Sequence, residues 1–369
     1  MTGRWQRQLV VTVSVEPDDP SVVGATGAYR SLDGLGRFHE LCRRYAVRPT
    51  YLLAYSAAAE PRCVELLRAC GGEAELGAHL HPEEVPPIAE AERGNHTLRP
   101  SDVEPSRLQA KVRNLVERIA EATGRRPTSY RAGFFDLTPA QAAALIELGI
   151  EADSSLGPLE RTRDGHSLLR TPFEPYVVDP KDVCRPLHSD CRLPIADRRL
   201  KSGLGERESQ THVLVEVPMT SVFRHPFPRL LILPWLRLPG PVRGALRRAG
   251  VADLLRFRPA AASAEGLLAI CRRTERLGLP AVMTIHSNEL AAGTSTSVRT
   301  EADLAAYFAR LERVFAYTHE NHWSSLTLAQ VARATAQVSA PGPNPQSAMR
   351  NPQSPHVSRL TRHAPGGSA

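Results

Sequence analysis

The stretch EAELGAHLHPEE, residues 73–84, begins as a short apolar run and ends in two histidines, a proline and two glutamates. Read as a strand, it has a side-chain period of two, so His79 and His81 point the same way at its end. Two imidazoles on one face with acid behind them are the donor types a divalent metal site uses. A polar loop is the other reading of the same residues.

Working outward from this stretch, apolar runs alternate with segments of helical period. The strand-like runs are 8–16, 50–55, 73–81, 128–135, 150–156, 212–219 and 281–287. Between most of them lie helix-period segments. One example is TPAQAAALIELG, with Thr138 as N-cap, Pro139 at the first helical position and Gly149 as the stop. Strands alternating with crossover helices predict a parallel β/α architecture. No glycine-rich dinucleotide fingerprint follows any strand, so seven strands point to a barrel-like closure rather than two nucleotide-binding halves. In such a barrel the chemistry sits at the C-terminal strand ends. Glu16, His79, His81, Arg131, Asp153 and His286 all fall at or near those ends.

Two regions interrupt the alternation. Residues 157–211 are rich in arginine, proline and polar turns and predict a long excursion over the barrel mouth. Residues 221–259 mix leucines with arginines and predict a basic amphipathic helical insertion packed on the barrel, with a substrate lid or peripheral contact with a lipid surface as further readings. From residue 340 the chain turns rich in Pro, Ser, Gly and Asn, the composition of a disordered tail. The domain reading is therefore one barrel over 1–339 followed by a tail over 340–369.

The totals restrict partners. The net charge of +7 is moderate for 369 residues, and aromatics make up only 5 %, which argues against a base-stacking nucleic-acid platform. RLLILPWLRLPG is too short and too broken to span a bilayer. No secretory signal pattern opens the chain, so the expectation is a cytoplasmic protein with free thiols. Cys184, His188 and Cys191 cluster in CRPLHSDC, but their spacing fits no common zinc pattern.

The first strand places Ser14 and Glu16 on one face, which makes Glu16 a candidate third metal ligand beside His79 and His81. YRAGFFDLTPAQAAALIELGIEADSSL then adds Arg131 at a strand end, a helix, and Asp153 followed by two serines. With these pieces the chain resembles the polysaccharide deacetylases, the NodB-homology carbohydrate esterases of family 4. The matching segments are TVSVE, ELGAHLHPE, YRAG, EADSS and MTIHSNEL, in family order, over residues 8 to about 320.

The resemblance implies a distorted (β/α)7 barrel of NodB-homology type. It implies a divalent metal, Zn first, with Co, Mn, Ni and Fe also compatible, and hydrolysis of acetyl groups from N-acetylated sugars. It makes Glu16 and His79 ligands, Arg131 and Asp153 an orienting pair, and His286 the proton donor. The substrate would be an acetylated saccharide or a lipid-linked glycan.

The chain departs from the family pattern twice. The position four after His79 is Glu83, so the third ligand is His81 or Glu83; His81 is favoured because it shares the face of His79. Ser14 stands where the family carries its proton-accepting Asp. Asp18, Asp19 or Glu83 would have to take that role, or the protein is a catalytically impaired glycan- or partner-binding relative.

Overall fold

A computed structural model describes residues 4–24, 27–159, 171–187 and 212–339. His188, Cys191, much of the 157–211 excursion and the 340–369 tail lie outside the described residues. The strands are β1 (Gln8–Val15), β2 (Pro49–Leu53), β3 (Glu75–Leu80), β4 (Ser129–Ala132), β5 (Ala152–Asp153), β6 (Tyr176–Asp179), β7 (Asp182–Pro186), β8 (Val215–Glu216), β9 (Ser221–Phe223), β10 (Leu254–Arg256), β11 (Ala281–His286) and β12 (Ser324–Ser325). The helices are α1 (Pro20–Val23), α2 (Leu32–Arg44), α3 (Pro61–Ala69), α4 (Pro105–Thr123), α5 (Pro139–Glu147), α6 (Arg229–Arg237), α7 (Gly240–Arg248), α8 (Ala264–Leu277), α9 (Glu301–Glu320) and α10 (Leu328–Ser339).

Seven strands run parallel in the order β11-β1-β2-β3-β4-β5-β8. Each of the seven strand-like runs in the sequence supplies one of them. The antiparallel β6–β7 hairpin attaches to the outer edge of β8. The sheet curls without a strand ladder between β8 and β11, so the molecule is a distorted parallel β/α barrel with a seam. Thr220 and Phe257 bridge that seam, through Thr220 N–H to Val282 O and Thr284 N–H to Phe257 O.

Period-two alternation sorts the barrel strands into two faces. Leu9, Val11, Val13 and Val15 of β1 belong to the large cluster that includes helix residues Phe38, Leu115, Tyr307 and Phe315. Val10 joins Leu52, Ala152, Val215 and Val282 in a second cluster with Leu328, Val331 and Ala332 of α10. The sequence reading contains no helix at α10, yet that helix closes the barrel floor. Its first backbone N–H groups donate to Thr50 Oγ1 and to Glu75 Oε2, at 3.2 and 3.0 Å. A buried carboxylate at a helix N-terminus satisfies donors that have no partner inside the helix.

Above this apolar floor the interior turns polar. Thr12, Ser14, His79, Arg131 and Thr284 are all buried and face the centre or the mouth. The 221–259 insertion holds the two-stranded β9–β10 ladder and the helices α6 and α7. Trp235 and Leu236 of α6 pack with Phe223 of β9 and with Leu159, which follows β5. No described helix is long and apolar enough to cross a membrane.

Candidate metal centre at the barrel mouth

His79 leaves β3 facing inward, in register with Arg131 of β4. Its Nδ1 lies 3.1 Å from the Arg131 carbonyl oxygen. A carbonyl only accepts, so Nδ1 carries the proton and Nε2 presents its lone pair to the mouth. His81, just beyond the strand, brings its Nε2 to 3.1 Å from that of His79. Glu16 follows β1 and places Oε2 at 3.3 Å from His79 Nε2 and 3.1 Å from His81 Nε2. These three atoms form the metal-compatible triangle of the described residues. Their separations approach the edge of a tetrahedron with bonds of about 2.0–2.1 Å, so the donors fit a divalent ion in number, type and spacing.

The electrostatics of the triangle are unequal. Burial raises the Glu16 pKa, but His286, His79 and His81 more than offset it and hold the carboxyl well below its usual range. Burial takes His79 down to about 4. His81 is desolvated too, yet its hydrogen bond to Glu16 and the nearby charges of Glu16, Glu83 and Glu84 lift it to about 9. Near neutral pH these shifts favour an ionised Glu16, a neutral His79 and a protonated His81.

Glu83 stands on the other side of His81, with Oε1 3.8 Å from His81 Nδ1. It lies outside the triangle, and its Oε2 is buried without a hydrogen-bond partner. Asp18 and Asp19 are employed in the loop. Asp18 accepts the Arg30 and Ser31 backbone N–H groups, and Asp19 caps α1 through Ser21. Glu84, which the sequence reading passed over, accepts from Tyr55 N–H and Ser56 Oγ and is raised by burial. All four acids line a groove of about 580 Å³ together with Glu16, His81 and Phe134.

His286 ends β11 with Nε2 3.9 Å from Glu16 Oε1. Its Nδ1 accepts from Arg258 Nη2 at 2.9 Å, and Arg258 also pairs with Glu289 at 3.1 Å. Burial lowers the His286 pKa and Arg258 adds to the effect. Nothing in the sequence marked Arg258, which comes from the insertion and reaches the site only because Phe257 bridges the barrel seam.

Arg131 lies fully buried in the interior, donating to Thr12 Oγ1, Ser14 Oγ, Ser154 O and Ser154 Oγ. Burial draws its pKa down to about 10. No ion pair joins it to Asp153. The register explains why: Asp153 lies opposite Tyr130, the residue beside Arg131, and so takes the outer face of the sheet. There it bonds to the Ser155 hydroxyl and N–H and stands against Glu216 of β8. The orienting pair expected of Arg131 and Asp153 is thus a through-sheet electrostatic relation, while the hydroxyls of Thr12, Ser14 and Ser154 hold the guanidinium.

Phe134 and Phe135 follow Gly133 with φ of 56° and 58°, the left-handed region where bulky residues are rare. The turn passes so close to β3 that a Cβ on Gly133 would lie 2.4 Å from Leu80 O. The strained pair flanks the site: Phe134 meets His81 edge-on at 5.9 Å, and Phe135 meets His286 at 6.5 Å.

No protein-family model and no curated protein matches the chain. Solved structures are similar to it in shape. One, assigned as a polysaccharide deacetylase from Mycobacterium smegmatis, is 16 % identical with TM-score 0.49 over 96 % of each chain. Another, assigned likewise and from Pseudomonas aeruginosa, is 15 % identical with TM-score 0.48 over 90 % of this chain and 92 % of that one. A CE4 family pseudoenzyme from Bacillus anthracis is 8 % identical with TM-score 0.41, over 89 % and 66 %.

The Asp153–Glu216 pair generates a prediction about stability. Burial raises both carboxyl groups, and the neighbouring Asp153 charge helps push Glu216 well above its ordinary value. In the window between the ordinary and the raised pKa the unfolded chain binds fewer protons than the folded one, so this pair makes stability fall as pH rises. Glu216→Gln keeps a neutral side chain in place. Its urea midpoint is expected to match the parent at pH 5 and exceed it at pH 8; a variant equally weakened at both values contradicts the raised Glu216 carboxyl.

Proposed function

We propose that this protein is a metal-dependent hydrolase that removes acetyl groups from N-acetylated sugars in polysaccharide or glycoconjugate biosynthesis. The convergence of Glu16 Oε2, His79 Nε2 and His81 Nε2 at the barrel mouth carries the reading. These residues hold the ion, Zn by donor type, with Co, Mn, Ni or Fe also suited to imidazole and carboxylate. When bound, the ion polarises the acetyl carbonyl and acidifies water. Glu83, with a buried unpartnered oxygen beside His81, takes the proton of the attacking water. His286, whose Nε2 lies 3.9 Å from Glu16 Oε1, delivers a proton to the departing sugar nitrogen as the amide C–N bond breaks. Arg131 braces the His79 strand from within. Phe134 offers an aromatic edge against which a sugar ring can rest.

A second reading is supported by Ser14. Its hydroxyl accepts from Arg131 at 3.3 Å and cannot act as a base near neutral pH, so a binding protein that keeps the barrel without turnover is the alternative. Acetate release from N-acetylglucosamine oligomers by the zinc-loaded full chain separates the two. The hydrolase reading expects release that falls at least about a hundredfold in His79→Ala or Glu83→Gln, in keeping with loss of a metal ligand or a general base. No release from the parent, with release gained in Ser14→Asp, establishes the alternative instead.

Location and partner follow from other parts of the chain. Buried free thiols at Cys42, Cys63 and Cys271 support a reducing, cytoplasmic setting. The α6–α7 insertion supports a lipid-linked glycan met at a membrane surface. Leu230 is 90 % exposed and Leu231 51 %, with Leu233 and Val242 also open to solvent. No carboxylate occurs between Arg224 and Asp253, while Arg237, Arg247 and Arg248 are exposed. Exposed leucines beside arginines suit an anionic lipid surface. The expected result is co-sedimentation with vesicles containing phosphatidylglycerol, weak with phosphatidylcholine alone, and lost in a Leu230→Ser/Leu231→Ser/Leu233→Ser variant. Equal sedimentation of parent and variant contradicts the assignment.

A further inference from the structure

A second cavity, of about 370 Å³, adjoins the groove and shares Phe134 with it. It occupies the barrel seam, where Thr220, Phe257, Val282 and Thr284 meet through single backbone hydrogen bonds instead of a ladder. Phe257, Met219 and Val282 give it apolar walls, and Arg99, Arg256 and Arg258 give it charge. Asp136 is the one carboxylate among the residues that line it, and Asp136 already accepts the Ser101 N–H.

Two polar atoms at this cavity are buried with no protein partner. Arg258 uses Nη2 on His286 and Glu289, while its Nε has no acceptor. Thr284 is 4 % exposed, and its Oγ1 has no partner either. Leaving such groups unsatisfied is costly, so the cavity suits a ligand that accepts from both. A guanidinium N–H and a hydroxyl on one wall, with two further arginines around them, match an oxyanion.

We propose that this cavity is an oxyanion subsite, taking a carboxylate or phosphate group carried by the saccharide. Arg258 Nε and the Thr284 hydroxyl donate to it, and Arg256 and Arg99 supply the field. That the anion belongs to the saccharide rests on the hydrolase reading of the neighbouring groove; that an oxyanion binds in the seam does not. His286 links Arg258 to Glu16, at 2.9 and 3.9 Å. A sugar with its acetamido group at the histidines therefore has an acidic substituent or neighbouring residue within reach of the seam. The substrate class narrows to acidic saccharides, either uronate-containing or phosphorylated.

Calorimetric titration of the chelator-treated full chain with inorganic phosphate, glucuronate and glucose tests this. Phosphate, glucuronate or both bind and glucose does not, and the stronger of the two acids names the source of the oxyanion. Thr284→Val weakens binding about tenfold, the loss expected for one buried hydrogen bond, and Arg256→Gln weakens it by removing a nearby positive charge. His79→Ala, which disables the triangle, leaves the binding unchanged, so the subsite and the hydrolase reading can fail separately. Absence of binding to either acid overturns the proposal. So does binding unaffected in Arg99→Gln/Arg256→Gln, or binding lost in His79→Ala while Arg256→Gln retains it.

Discussion

One carboxylate oxygen, Glu16 Oε2, lies within 3.3 Å of two imidazole nitrogens. Three donors held that close in a buried site repel unless a cation sits among them or one of them carries a proton. A proton on His81, whose pKa Glu16 and Glu83 raise, relieves that repulsion. The surrounding structure fixes the arrangement. The Arg131 carbonyl sets the tautomer of His79, and the β3–β4 register sets that carbonyl. Apolar strands and the α10 plug beneath hold the register.

The same interior explains how a buried guanidinium is tolerated. Arg131 has no carboxylate in contact, and burying an unpaired charge is costly. Three hydroxyls, two from β1 and one just beyond β5, and a backbone carbonyl take its protons, while Asp153 acts on the charge from across the sheet. Ser14 belongs to this scaffold. Its side chain meets Arg131, so an aspartate there would alter the charge balance of the interior as well as add a base.

Much of the barrel was legible in the chain. All seven parallel strands, the helices between them and the shared face of His79 and His81 follow from period and punctuation, because each is a local property. What escaped was set by contacts distant in sequence. The helix α10 follows the last barrel strand and has no strand after it, so alternation gave it no place. The resemblance pairs Asp153 with Arg131, but the register, which sequence does not specify, turns Asp153 to the other face. Arg258 sits in an insertion whose path across the seam depends on Thr220 and Phe257. The left-handed backbone at Phe134 and Phe135 has no residue signature, since both look like ordinary buried aromatics.

Calorimetric titration of zinc into the apo chain at pH 7, in two buffers of different ionisation enthalpy, tests the account most directly. The account predicts one ion per chain, release of about one proton from His81 on binding, and loss of binding in His79→Ala and in His81→Ala. Absence of binding, binding without proton release, or binding that survives both substitutions would contradict it.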